Sequence, residues 1–103
     1  MKLISELSDK IEEEINDAES YIKMALEHKA TNKALADTLA KISEEELGHM
    51  KRLHDSVVMI IEDWRKQHGE PPSDMMTLYE YLHNKHMSHT AVVKAMHSMY
   101  KEG

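Results

Sequence analysis

The chain contains no cysteine and no phenylalanine, and its 103 residues include only 3 glycines and 2 prolines. Without thiols there is no disulfide framework, no thiolate metal site and no cysteine nucleophile, and nothing marks an oxidising compartment. The expected location is cytoplasmic. Positive charge is also short: 13 Lys and Arg against 19 Asp and Glu leave a net charge of −6. No basic stripe offers the counterion release on which nucleic-acid binding rests. Long apolar runs are missing too. The longest, Val57 to Ile61, falls far short of the ~20 residues a membrane span needs, and Met1 to Lys10 has no apolar signal-peptide core. Neither nucleic acid nor a membrane is an expected partner. The length predicts a single domain, residues 1–103, small enough to gain from sharing apolar surface with a partner.

With so few helix breakers, the breaks parse the chain. Gly69-Glu70-Pro71-Pro72-Ser73 is the strong one, with Gly69 placed to end a helix and Ser73 to cap the next. Lys29-Ala30-Thr31-Asn32 is weaker, with Thr31 or Asn32 as cap. Three segments follow, each with apolar residues three or four apart. The first, about residues 3–27, carries Ile4, Leu7, Ile11, Ile15, Ala18, Ile22 and Ala25; the second, about 33–68, carries Leu35, Leu39, Ile42, Leu53, Val57, Ile60 and Trp64. The third, 73–101, carries Met75, Leu78, Leu82, Val93, Met96 and Tyr100, and its polar middle, Asn84 to His89, leaves open one bent helix or two short ones. The predicted class is all-α: a long antiparallel hairpin, 3–68, followed by a C-terminal helical segment. The nine Met fill core gaps in a chain without Phe, and Trp64 reads as a core or interface anchor. Gly48 stands mid-helix, where glycine costs about 0.5–1 kcal/mol relative to alanine, and so calls for a packing reason.

Ionisable residues interrupt the apolar stripes. In the second segment Glu46 and His49 follow Leu35, Leu39 and Ile42 and precede Leu53 and Ile60; in the first, Glu14 stands between Ile11 and Ala18. A buried carboxylate must be protonated, paired or bound to a cation. If the turn centres near Ala30 and Thr31, Glu14 and Glu46 each lie about 16 residues from it, roughly 24 Å up facing helices at 1.5 Å per residue. His49 is one turn from Glu46 on the same face. Two carboxylates and an imidazole at one level form a ligand set for a divalent metal such as iron, manganese or zinc. The competing reading is a hydrogen-bonded Glu–His cluster without metal. A second Glu-x-x-His, Glu80/His83, falls off the apolar face and reads as a solvated surface pair; His83, His86 and His89, three residues apart, read as surface or interface histidines.

Glu14-Ile-Asn-Asp-Ala-Glu-Ser-Tyr21 together with Ser43-Glu-Glu-Glu-Leu-Gly-His49-Met resembles the first two helices of the ferritin-like superfamily, in particular the rubrerythrin branch and the short encapsulated-ferritin type. The likeness spans about the first 60 residues. It implies a di-iron carboxylate protein in which Glu14, Glu46 and His49 are the metal and catalytic residues, with Tyr21 as a hydrogen-bonding or redox neighbour. Full-length ferritins carry a second Glu and a second Glu-x-x-His, which this chain lacks, and Asp17 stands where a small residue is common. The resemblance therefore implies a centre of two irons completed by a second copy, a four-helix bundle formed by dimerisation, and ferroxidase-type oxidation of Fe(II) by O2 or peroxide. An intrachain alternative draws on Glu80 and His83. A different class of function, a metal-free helical interaction module, has the Glu14, Glu46 and His49 cluster fixing the register between two chains.

Overall fold

The structure is a computed structural model that describes residues 2–102; the ends of the expected domain, Met1 and Gly103, lie outside it. Three helices make up the described chain: α1 (Lys2–His28), α2 (Lys33–His68) and α3 (Ser73–Glu102). The polar stretch from Asn84 to His89 does not interrupt α3, which runs as one helix. The whole is a rod of 56 × 19 × 17 Å. Among the described residues, no helix is long and apolar enough to cross a membrane.

The breaks act locally as their chemistry dictates. Asn32 caps α2, its side chain accepting from the Leu35 N–H at 3.1 Å, and thereby satisfies one donor the helix start leaves free. Gly69 closes α2 at φ 81°, a backbone state that costs glycine no Cβ clash, and its N–H reaches the Arg65 carbonyl at 3.0 Å. Helix α3 starts at Ser73, as the expected bounds have it, but Ser73 does not cap it. Met76 N–H donates to the Pro72 carbonyl at 3.1 Å, so Ser73 is already the first helical residue, and Asp74 supplies the first-turn carboxylate.

The α1/α2 seam is aliphatic; on α1 it follows the expected periodicity, whereas on α2 the buried face is shifted, with Leu39 and Val57 buried as expected but Ile42, Leu53, Ile60 and Trp64 half-buried and Leu35 exposed. Ile11, Ile15, Ala18, Ile22 and Ala25 meet Ala36, Leu39, Ala40, Met50, Val57 and Ile61, all buried. The inward face of α3 departs from expectation. It is His86, Thr90, Val93, His97 and Tyr100 that are buried, whereas Leu78 is 58% exposed and Met75, Leu82 and Met96 are only half-buried. The reason is that hairpin groups satisfy some of the polar ones. Ser43 Oγ donates to the Ala18 carbonyl at 2.6 Å, which uses its one hydrogen, so His97 Nε2, 2.8 Å away, is the donor to that oxygen. At the C-terminal end the Tyr100 hydroxyl donates to Asp37, which pushes the phenol up to about 12, and Lys29 Nζ lies over the ring at 4.5 Å while donating to the Tyr100 carbonyl. Lys85–Glu12 and His89–Glu19 tie α3 to the flank of α1. Helix α3 thus runs parallel to α1, against the hairpin.

The expected packing reason for Gly48 is not found. A Cβ built there meets nothing within 4 Å, and nothing within the chain explains a glycine at that position.

Candidate metal centre

Helix α1 ends at His28 and α2 begins at Lys33, so the turn centres where the sequence placed it and brings Glu14 level with Glu46. One ligand atom from each of Glu14, Glu46 and His49 lies within 4.8 Å of the others, the only such grouping of His, Asp and Glu among the described residues. His49 Nδ1 stands 3.5 Å from Glu14 Oε2 and 3.7 Å from Glu46 Oε2. These separations exceed hydrogen-bonding distance and leave room between the three atoms.

The site lies at the edge of the hairpin rather than within its core. Glu46 and His49 follow Ser43, which touches α3, by three and six residues, roughly 60° and 120° around α2. Glu14 is similarly about 140° around α1 from Glu19, whose carboxylate meets α3. The three groups therefore face away from α3. The carboxylate side chains are 25% and 20% exposed for Glu14 and Glu46, and the imidazole of His49 is 49% exposed. Half-buried apolar residues extend this face in both directions: Leu7 and Tyr21 on α1, Ile42, Leu53 and Ile60 on α2, with Leu35 41% exposed beyond them.

Electrostatically the cluster sets two carboxylates against each other. Glu14 Oε2 is itself buried and has no hydrogen-bond partner. The carboxyl of Glu46 is held above its ordinary range, first by the facing carboxylate of Glu14 and then by burial, with His49 pulling weakly the other way. Two carboxylates this close share a proton or need a positive charge. A divalent ion taking oxygen and imidazole donors would fill that need.

The neighbouring acidic residues do not form a funnel. Glu13 pairs with Lys10 and Glu12 with Lys85, both away from the cluster, and Glu44 and Glu45 are exposed. Glu80 is exposed as expected. His83 corrects its sequence reading, because it is half-buried and its Nδ1 meets His54 Nε2 at 3.1 Å across the α2/α3 junction. Since Glu80 and His83 stand on α3, which the Glu14 face turns away from, they do not join the three-residue group. The sequence reading missed His54. Its signal was present: it interrupts the three-four succession Leu47, Met50, His54, Val57, Ile61 as Glu46 interrupts its own stripe.

The buried Ser43–His97 contact is not a nucleophile and its base. Ser43 Oγ already donates to a backbone carbonyl and His97 donates to Ser43, the reverse of what activation requires. Comparison with known proteins finds no match: no family model, no curated protein and no solved structure matches the chain.

Proposed function

We propose that Glu14, Glu46 and His49 are one half of a ferritin-like di-iron carboxylate centre, completed by the same three residues of a second copy, and that the assembly oxidises Fe(II) with O2 or peroxide. The observation that carries this reading is the buried, unpartnered Glu14 Oε2 beside a Glu46 carboxyl that its neighbour holds above the ordinary range. One chain offers two carboxylates and one imidazole; a two-fold axis beside them doubles the set to four and two, the complement of a di-iron site. The half-buried apolar residues around the cluster supply surface for that contact. Manganese or zinc would also suit the donors.

In this reading Glu14, Glu46 and His49 would hold the cation, whose positive charge would relieve the repulsion between the two carboxylates. His49 ligates in its neutral form. Bound Fe(II) supplies the electrons that the oxidant takes up. Tyr21, seven residues beyond Glu14, lies half-buried on the same face of α1.

The test is anaerobic Fe(II) addition to the full chain followed by air. The expected result is one iron bound per chain, a rise in dimer fraction by sedimentation, and Fe(III) formation on oxygenation, with binding and association lost in Glu46→Ala and Glu14→Ala. A specific observation favours a second reading: His49 Nδ1 lies between both carboxylates, so its imidazolium form could neutralise them without metal. Dimerisation indifferent to Fe(II), with no iron retained, would select that metal-free interaction module.

A further inference from the structure

We propose a second cation site at the α2/α3 junction, in which His54 Nε2 and His83 Nδ1 together ligate a borderline divalent ion of the Zn2+, Ni2+ or Co2+ type. The two nitrogens are 3.1 Å apart. The ring planes are inclined by 30° with centroids at 4.9 Å, an offset stack across which the two nitrogens are in hydrogen-bonding contact. Bonds of about 2.0–2.1 Å to nitrogens at that separation close at roughly 100° at the ion, between the tetrahedral and square limits. A small swing about each imidazole χ2, a soft torsion, turns both lone pairs to a common point.

The surroundings prepare both rings for this. On His54 the other nitrogen, Nδ1, has the Asp55 carboxylate at 3.7 Å, which favours a proton there and leaves Nε2 with its lone pair toward His83. Asp55 stays ionised because Lys51 holds it, at 3.2 Å, below the ordinary aspartate range. His83 is fixed from behind by Tyr79, whose ring is inclined 26° to it at 6.0 Å. Burial holds the His83 imidazole neutral, with His54 adding to that effect. In the neutral pair His83 Nδ1–H is the donor to His54 Nε2, and ligation requires that proton to move to His83 Nε2, with no net release. Solvent ligands have space: His54 and Asp55 border a cavity of about 490 Å³ between α2 and α3, floored by Leu47, Met50 and Met87. Two imidazoles with water favour late first-row ions over Mg2+ or Ca2+.

The site is independent of the Glu14 centre, and its test keeps the two apart. Zn2+ alone is titrated into the full-length Glu46→Ala/His49→Ala chain, in which the first centre is disabled. One Zn2+ bound per chain, with affinity reduced tenfold or more by His54→Ala or His83→Ala and unchanged by His68→Ala, is the expected result. Helix content by circular dichroism identifies any variant that fails to fold. Imidazole nitrogen spectra of the unsubstituted chain give a second readout: Zn2+ must shift His54 Nε2 and His83 Nδ1. No Zn2+ uptake by the double variant, uptake that survives removal of both histidines, or shifts confined to other rings would overturn the proposal, and none of these results bears on iron at Glu14.

Discussion

On one side, α1 is held to α2 by Ile11, Ile15, Ala18 and Ile22 against Leu39, Met50, Val57 and Ile61; on the other, α3 meets the hairpin through His86, Thr90, Val93, His97 and Tyr100. The first seam rests on apolar area, which needs no partner geometry and does not titrate. The second rests on polar groups that must find specific partners. Ser43 satisfies His97, whereas His86 Nε2 and Thr90 Oγ1 are buried without a hydrogen bond. The difference makes the hairpin the stable frame and α3 the conditional element.

The strongest way to break this contrast is at Ile15, fully buried in the aliphatic seam. Ile15→Ala is expected to cost about 2–5 kcal/mol through lost burial and the cavity left behind. At roughly 4–8 °C per kcal/mol for a domain near this size, calorimetry will show a fall of about 8 °C or more. Ser43→Ala comes next: it strips His97 of its acceptor and Ala18 of its donor, at about 1–3 kcal/mol by denaturant titration.

Acid sharpens the comparison because the two regions respond with opposite sign. Burial lowers the His86 and His97 imidazoles, against weaker upward pulls from Glu12 on the first and Glu44 on the second; Lys85 and Lys101 push them down further. Folded values below the unfolded one mean that this stabilisation is complete above about pH 6.5 and is lost as pH falls through the lowered values. Glu46 is raised, so its contribution to the metal-free protein is complete below the unfolded carboxylate value and is lost as pH rises through the folded one. Tm of the metal-free chain should therefore drop below pH 6.5, with His97→Gln flattening the drop. Glu46→Gln should raise the metal-free Tm at pH 7 by on the order of a few degrees while abolishing cation binding. A Glu46→Gln chain that melts lower than the original would show that the two carboxylates do not repel.

The same contrast decides what could be read in advance. The position of the Glu14, Glu46 and His49 cluster depends only on the turn centre and the helix rise, both of which follow from Asn32 and the periodicity on either side, so the sequence suffices. The facing of α3 depends on which of its sides finds partners on a hairpin already built. Leu78 looked inward by its hydrophobicity yet stands 58% exposed, and His97, which the apolar spacing passes over, is buried against Ser43. The His54–His83 contact belongs to the same category: His54 is marked by its place in an apolar succession, but only the register of α3 on α2 brings His83 to it.

The smallest effect is expected at Gly48. Gly48→Ala should add about 0.5–1 kcal/mol, since the new methyl meets no neighbour and the unfolded chain loses freedom. A neutral or destabilising result would show that the added methyl meets a neighbour after all.

That glycine lies between Glu46 and His49, so the turn presenting both side chains is the one α2 holds least firmly. Local opening there needs less free energy than in the aliphatic turns on either side, and amide hydrogens of residues 46–50 should exchange faster than those around Val57. An ion gripped by residues 46 and 49 would span the glycine and still that breathing, so that cation uptake would register first as slowed exchange in a single helical turn.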